Sequence, residues 1–157
     1  MDYSFIIRRA NSEDAVAIKD ILNESFTNYK NDTGLTGDLE ALTESVEAIR
    51  VAIEFVNVYI AIVDEVPVGT VRLSINADGT AYLSRFGVKS NSRSIGIGKA
   101  LMNLVNKLMK EKGVSRLTLH TASKNRELIH FYYGAGFYIE SISTDRGYLR
   151  ALLVKDY

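Results

Sequence analysis

The segment from Arg93 to Lys99, Arg-Ser-Ile-Gly-Ile-Gly-Lys, combines residue types that suit the binding of a phosphate group. Gly96 and Gly98 lack Cβ atoms, so an anion can approach the backbone N–H groups closely, and the two flanking cations add charge. A helical apolar pattern begins at Ile97, where each glycine costs about 1 kcal/mol relative to alanine. The two glycines therefore indicate a phosphate-binding loop at the start of a helix.

Two common phosphate-binding motifs do not fit this segment. A P-loop has a glycine five positions before its last glycine and a Ser or Thr after the lysine, where this chain has Arg93 and Ala100. A dinucleotide-binding fingerprint has a third glycine three positions after Gly98, where this chain has Leu101. Taken alone, the six residues would also fit a glycine-rich turn with a purely structural purpose.

A third pattern, Arg/Gln-x-x-Gly-x-Gly/Ala after a strand, matches residues 93–98. It resembles the acyl-CoA pyrophosphate loop of the GNAT N-acetyltransferase superfamily. The segment Asn125 to Phe137 resembles the later motif of that family, in which an asparagine precedes a helix with a tyrosine (Tyr132) and a Gly-Phe end. The β-α-α start, the strand Tyr-Leu-Ser-Arg-Phe-Gly-Val and the closing hairpin extend the resemblance over nearly the whole chain.

The resemblance implies acetyl-CoA as cofactor, with its pantetheine arm between two diverging strands, residues 83–88 and 116–121. Backbone groups near Phe86 and Val88 would hold the pantetheine amides, and one N–H there would polarise the thioester carbonyl. An ordinary core strand is the alternative for the first segment. The residues expected at the cofactor are Phe86, Gly87, Val88, Arg93, Ser94, Ile95, Gly96, Ile97, Gly98, Lys99, Asn125 and Tyr132.

Tyr132 and Asn125 are the expected catalytic residues. A phenol has a pKa of about 10, so Tyr132 would remain a proton donor at neutral pH and could protonate the departing thiolate. Asn125 would position the cofactor. A core aromatic role for Tyr132 and a helix N-cap role for Asn125 are the structural alternatives, whereas Tyr133 projects from a different helical face.

The general base is not evident. Many members of the resembled family carry a glutamate where this chain has Ser84. His120, at the end of a strand beside the expected cleft, has a suitable ordinary pKa, although a structural role is the alternative. His130 is expected at the surface. With no cysteine and two histidines, we expect neither a metal site nor an acyl-cysteine, which leaves direct attack in a ternary complex.

The acceptor is expected to be an amine, on a small molecule or a peptide, bound near residues 29–38 and 143–148. Four glutamates fall on one side of the second predicted helix: Glu40, Glu44, Glu47 and Glu54. That face would suit a cationic acceptor such as a polyamine, and a solvated acidic face is the alternative.

The composition is that of one soluble domain, residues 1–157. Hydrophobic residues make up 46% of the chain, and 19 cationic residues balance 19 anionic ones. We therefore expect neither a nucleic-acid partner nor a membrane, and the N-terminal segment has no secretory pattern, which favours the cytoplasm. The resemblance allows a homodimer.

Hydrophobic periodicity predicts the order β-α-α-β-β-β-α-β-α-β-β. The first helix is expected to be capped at Asn11 or Ser12 and the second, with an apolar stripe from Leu39 to Ile53, at Asp38. This order predicts an α/β (α+β) GNAT-like fold, with a mixed, mostly antiparallel sheet of about seven strands and helices on both faces.

The expected function is acetyl transfer from acetyl-CoA to a primary amine. One alternative is a non-catalytic acyl-CoA-binding sensor module with the same fold. Another is an interaction protein that pairs through the stripe from Leu39 to Ile53.

Overall fold

A computed structural model describes residues 5–157 with every side chain except that of Ser94. The strands within this range are β1 (Phe5–Arg9), β2 (Asn57–Val63), β3 (Val66–Ile75), β4 (Thr80–Val88), β5 (Arg116–Ala122), β6 (Tyr138–Ser143) and β7 (Arg150–Asp156). The helices in the same range are α1 (Ala15–Thr33), α2 (Glu40–Thr43), α3 (Val46–Phe55), α4 (Ile97–Glu111) and α5 (Arg126–Gly134). Short 3-10 helices span Ser12–Asp14 and Ser90–Ile95.

The strands form one mixed sheet in the order β1-β2-β3-β4-β5-β7-β6. Every neighbouring pair is antiparallel except β4 and β5. Helices α1 and α3 pack against a cluster with Val58 and Ile60, and α4 and α5 pack against a second cluster with Val71 and Leu83. The predicted fold class, a mixed sheet of seven strands with helices on both faces, is confirmed.

The first helical segment begins where the sequence predicts it. The Asn11 side chain accepts a hydrogen bond from the N–H of Glu13, and the Asp14 carboxylate accepts one from the Asn11 N–H. Helix α1 continues through Thr33 to Gly34, which has φ +68°. The predicted loop from Asn31 was therefore placed too early. Tyr3 and Ser4 of the predicted first strand lie outside the described residues.

The prediction of one continuous second helix is wrong. Glu44 has an extended backbone and separates α2 from α3. The Ser45 hydroxyl then caps α3 by accepting a hydrogen bond from the N–H of Ala48 at 3.1 Å. Asp38 is not the cap of α2, because Leu39 occupies that position. The stripe residues Val46, Ile49 and Ile53 of α3 pack in one cluster with Ile18 and Leu22 of α1, so this stripe is not free to pair with a partner.

Strands β4 and β5 diverge after a short parallel contact. Their pairing ends at Tyr82 and Thr118, whereas β4 continues to Val88 and β5 to Ala122. A β-bulge lies in β4 beyond that point, where Arg85 has φ +48°. Bulges bend a strand and increase its twist. The divergence predicted for residues 83–88 and 116–121 is present, and it opens a cleft in the sheet.

Candidate functional site

The cleft between β4 and β5 has a volume of about 1110 Å³. Its walls come from α1, α3, the start of α4, α5 and the segment that precedes β7. A drug-sized ligand occupies a site of about 300–1,000 Å³. The cleft is therefore large enough for a cofactor and a second, smaller molecule.

Helix α4 begins at the edge of this cleft without a side-chain cap. Gly96, with φ +84°, ends the preceding 3-10 helix and stands at the N-cap position. The first turn of α4 contains no acidic side chain. The first N–H groups of a helix need acceptors, and the helix dipole favours an anion there. This end of the cleft is consequently suited to a phosphate.

The two loop glycines differ in what a side chain would cost the fold. Gly96 has a positive φ, a backbone conformation that costs free energy for any residue with a Cβ. A Cβ added at Gly98 would lie 3.5 Å from the Phe86 ring and 3.8 Å from the Phe131 ring, which is ordinary contact. The fold therefore has room for a Cβ at Gly98. Because Gly98 lines the cleft, the space that such a side chain would fill is available to a ligand.

The structure brings seven of the predicted cofactor residues to the walls of the cleft: Phe86, Gly87, Val88, Arg93, Gly98, Asn125 and Tyr132. Four others do not line it: Ile95, Gly96, Ile97 and Lys99. Ile97 is instead buried in the core below α4. The Ser94 side chain lies outside what the structure describes.

Tyr132 lies in an aromatic cluster on α5. Its ring centroid is 5.4 Å from that of Phe131 and 5.6 Å from that of Phe137. Burial raises the pKa of the Tyr132 hydroxyl well above its ordinary value. Among the described residues, none forms a hydrogen bond with this hydroxyl. Tyr132 is thus a neutral phenol at the cleft wall, whereas Tyr133 is half exposed and does not line the cleft.

Asn125 has the N-cap role that was its structural alternative. Its Oδ1 atom accepts a hydrogen bond from the N–H of Leu128 at 3.1 Å. Asn125 also lines the cleft. Because the cap uses the oxygen alone, the side-chain NH₂ group is available as a donor to a ligand.

Tyr82 and His120 form a hydrogen-bonded pair in the cleft. The Tyr82 hydroxyl is 2.7 Å from His120 Nδ1. Burial, together with the charge of Arg150, lowers the pKa of His120 below its ordinary value. His120 is therefore a neutral imidazole at neutral pH. The sequence drew attention to His120 but not to Tyr82, since the parallel register that brings them together has no local signal.

Glu44 belongs to a buried ion-pair triad that the sequence did not reveal. Both Nη atoms of Arg72 donate to its carboxylate at 2.9 Å, and Arg85 Nε donates at 3.3 Å. Burial tends to raise the pKa of Glu44, but the hydrogen bonds and charges of the two arginines outweigh it and hold the pKa below its ordinary value.

The predicted acidic helix face does not form. Glu44 is not helical, Glu40 pairs with Arg146 at 3.0 Å, and Glu47 pairs with Arg50. Three glutamates of the four thus have cationic partners in the chain. The polyamine interpretation loses the continuous acidic surface on which it depended.

Both segments expected at the acceptor contribute to the cleft walls. The first provides Tyr29, Asp32 and Asp38, and the second provides Asp145, Arg146 and Tyr148. The Tyr29 hydroxyl accepts a hydrogen bond from the N–H of Ala122 at 2.7 Å. This bond joins α1 to the end of β5, beyond the point at which β5 stops pairing with β4.

Within residues 5–157, no group of three or more His, Cys, Asp or Glu side chains is arranged to hold a metal ion. No helix in the same range has the length and apolarity needed to cross a membrane.

The family model for the acetyltransferase (GNAT) family matches residues 16–137. This chain belongs to the GNAT acetyltransferase family. The resemblance inferred from residues 93–98 and 125–137 is confirmed. A mycothiol acetyltransferase of Propionibacterium freudenreichii is 35% identical over 73 residues, which span 46% of this GNAT chain and 22% of that protein. The match thus covers less than a quarter of that relative.

Solved structures resemble the GNAT chain over nearly its whole length. The PaiA N-acetyltransferase from Thermoplasma acidophilum, solved in complex with coenzyme A, covers 98% of this chain and 99% of its own, with a TM-score of 0.86 and 25% identity. A probable acetyltransferase from Staphylococcus epidermidis covers 98% and 99%, with a TM-score of 0.81 and 19% identity. At that lower identity the likeness shows the fold alone.

Proposed function

We propose that this GNAT protein transfers the acetyl group of acetyl-CoA to a primary amine of a small molecule or peptide, by direct attack in a ternary complex. The observation that carries the proposal is the cleft between β4 and β5, which ends at the uncapped start of α4. Family membership and the coenzyme A complex of the similar PaiA structure support the same function.

The residues at this end of the cleft fit a coenzyme A pyrophosphate. Gly98 leaves open the space that a Cβ would fill, and the first N–H groups of α4 have no acidic side chain to accept from them in that turn. Arg93 lines the cleft and is exposed, so its guanidinium can pair with a phosphate. Acetyl-CoA, when bound, supplies an acetyl group activated as a thioester.

The unpaired part of β4 would hold the pantetheine arm. Beyond Tyr82 the peptide groups on the β5 side of β4 have no partner in β5. An N–H near Phe86 or Val88 would polarise the thioester carbonyl, as backbone donors do in oxyanion holes.

Two side chains of α5 would complete the cofactor end of the site. Tyr132 would donate the proton that the departing sulfur takes up, since its hydroxyl is neutral and has no partner among the described residues. Asn125 would donate its NH₂ group to the cofactor while its oxygen keeps the helix capped.

His120 is the general base that the site favours. An alkylammonium acceptor has a pKa of about 10.4 and must lose a proton before it attacks. His120 is neutral, lines the cleft and is oriented by Tyr82 through Nδ1. In the tautomer in which Nδ1–H donates to the Tyr82 oxygen, Nε2 carries no hydrogen and can accept that proton. Ser84, which also lines the cleft, has no basic group with which to do so.

The proposal is tested by calorimetric titration of acetyl-CoA into the wild-type protein and into Gly98→Trp, followed by a panel of amines read by release of free thiol. We expect tight binding to the wild type, loss of binding in the variant, and thiol release above hydrolysis with at least one amine. Wild-type protein that fails to bind acetyl-CoA would refute the cofactor assignment. Tight binding with no transfer to any amine would instead favour the acyl-CoA sensor.

A further inference from the structure

The buried charges on the acceptor side of the cleft are positive. Arg85 of β4 and Arg150, the first residue of β7, both line the cleft, and their side chains are only 19% and 12% exposed. Burying a guanidinium costs free energy unless an opposite charge compensates for it. The charges that face these two arginines therefore decide what the cleft can accept.

The carboxylates of the chain compensate for these arginines only in part. Glu44 is one carboxylate shared by Arg72 and Arg85, so the triad keeps a net charge of +1. Arg72 Nε is buried and has no hydrogen-bond partner among the described residues. Arg150 pairs with Asp145 at 3.6 Å, but that carboxylate is 67% exposed and its charge is screened by water.

The acidic side chains of the cleft lie at its mouth. Five of them line it, and all five are exposed: Asp32, Asp38, Glu40, Glu127 and Asp145. Two exposed arginines, Arg93 and Arg146, also line it, so both signs of charge occur where the cleft meets solvent, whereas the less exposed Arg85 and Arg150 make its buried wall positive. A ligand with a positive amine and an anionic group matches this distribution better than a polycation does.

Three arginines from different elements line the cleft: Arg85, Arg146 and Arg150. Burial raises the pKa of the Tyr82 hydroxyl, and the charges of Arg150, Arg146 and Arg85 all act against that rise. The three arginines line the same cleft as Tyr82 and come from β7, the segment before it, and β4. An anion bound beside Tyr82 would meet this combined positive field.

An apolar surface lines another part of the same cleft. Val51 and Phe55 of α3 line the same cleft and are 55% and 75% exposed. Large apolar side chains left in contact with water beside a ligand site favour a ligand with an apolar part.

We propose that the acceptor is an amino acid with an apolar side chain, whose carboxylate is bound by Arg85 and Arg150. This inference rests on the proposed function and names the substrate class of the same site. A carboxylate matches the fork of N–H donors that each arginine presents. The apolar side chain of the acceptor would pack against Val51 and Phe55, which would leave the amine to react.

The test compares leucine, methionine and phenylalanine with their amides, in which a neutral group of similar size replaces the carboxylate. Each is titrated calorimetrically into protein saturated with coenzyme A, and each is assayed for thiol release with acetyl-CoA. We expect the amino acids to bind and react about tenfold to a hundredfold better than the amides. The amide substrates have the less basic amine, so a preference for the acids cannot arise from easier deprotonation.

Variants decide which residue is responsible. Arg150→Gln should lose most of the preference for the acids over their amides; the ratio of the two within each protein is compared, because it cancels any effect that the lost charge has on His120. Arg50→Gln, which removes an arginine that does not line the cleft, should change neither. Thermal melting of both variants verifies that they fold. Equal binding of acids and amides, or an equal loss for both in Arg150→Gln, would overturn the proposal.

The two proposals fail in different ways. Transfer to amines without regard to a carboxylate would leave the acetyltransferase function standing and refute the amino-acid acceptor. Binding of the amino acids that depends on Arg150, without any thiol release, would support the acceptor site and refute transfer. O-phosphoethanolamine compared with ethanolamine tests a phosphate as the anion, and a preference for that pair over the amino acids would also overturn the proposal.

Discussion

The hydroxyl of Tyr82 and the Nδ1 atom of His120 lie 2.7 Å apart, on two strands that have just ceased to pair. Tyr82 pairs with Thr118, which is two residues before His120 and so lies on the same face of β5. The hydrogen bond therefore spans the opening of the cleft. It fixes the orientation of the imidazole at the place where an acceptor amine would enter.

We predict that His120 controls the acid limb of the pH–rate profile. Its pKa is lowered from an ordinary value of 6.5, so protonation should reduce kcat/KM only as the pH falls below that value. His120→Gln should be slower at neutral pH and lose this limb. The ratio of wild-type to variant kcat/KM, measured from pH 5 to 9 with one acceptor, removes the ionisation of the acceptor itself.

His130→Gln is the matched control, since His130 is exposed on α5 and does not line the cleft. It should reproduce the wild-type profile. A profile of His120→Gln that is parallel to that of the wild type would contradict the role of His120 as base.

The lowered pKa of His120 also makes the stability of the fold depend on pH. The folded pKa of His120 lies below its unfolded value, so the unfolded chain takes up a proton first as the pH falls. This contribution to stability is fully present above about pH 6.5 and is lost as the pH falls further. Urea unfolding at several pH values should show a smaller loss on acidification in His120→Gln than in the wild type.

Removal of Glu44 should destabilise the fold more than removal of either arginine with which it pairs. Glu44→Ala leaves two largely buried guanidiniums without their carboxylate, and breaking a buried pair in this way costs about 3–5 kcal/mol. Arg72→Met leaves the Glu44–Arg85 pair in place and should cost less. The free energy of unfolding in urea measures both.

Glu47→Ala provides the control for this series. Glu47 is an exposed residue of α3 that pairs with Arg50, and its loss should change the unfolding free energy by no more than about 0.5 kcal/mol. If Glu44→Ala were as mild as Glu47→Ala, the triad would not be a stabilising element of the cleft wall.

The two glycines at the start of α4 should respond in opposite ways to alanine. Gly96→Ala places a Cβ at φ +84° and should destabilise the fold by about 1–2 kcal/mol. Gly98→Ala meets only ordinary contacts and should stabilise the helix by up to about 1 kcal/mol.

Acetyl-CoA affinity gives a second test of the role of Gly98. The Gly98→Ala variant should bind acetyl-CoA more weakly although it is more stable, because the added methyl group occupies part of the cleft in which the ligand would bind. Calorimetry and thermal melting on the same samples measure both effects. A stabilised Gly98→Ala that binds acetyl-CoA as tightly as the wild type would show that this glycine does not serve the phosphate.

The parts of the molecule that the sequence predicts are those with a local signal. The capping box at Asn11, the β-strands and the glycine motif all depend on neighbours within a few residues. The break at Glu44 was missed because the apolar stripe continues through it in the right register. Only the distant Arg72 and Arg85 make an extended Glu44 favourable, and no local pattern contains that information.

The residues on the acceptor side of the cleft could not be predicted either, because they too have no local sequence signal. Tyr82, Arg85 and Arg150 come from two strands, β4 and β7, that lie on either side of β5 in the sheet and are far apart in the sequence. The order β4-β5-β7 places the start of β7 across the cleft from the bulge of β4. Charge complementarity of this kind becomes visible only when the topology is known.

Tyr132→Phe tests the proton donor. The substitution removes a hydroxyl that has no hydrogen-bond partner among the described residues and keeps the ring in its aromatic cluster. Stability and acetyl-CoA affinity should therefore be nearly unchanged, while kcat falls by about 10²-fold or more, the usual contribution of a positioned acid. Steady-state kinetics, calorimetry and thermal melting separate these three quantities.

Tyr133→Phe makes the same chemical change one residue away, on a side chain that is half exposed and outside the cleft. It should leave kcat unaltered. Because burial raises the pKa of Tyr132, its hydroxyl stays protonated at alkaline pH, and no loss of rate up to about pH 9 should trace to it. A Tyr132→Phe variant with wild-type kcat would mean that water protonates the leaving thiolate, and Tyr132 would then be a packing residue alone.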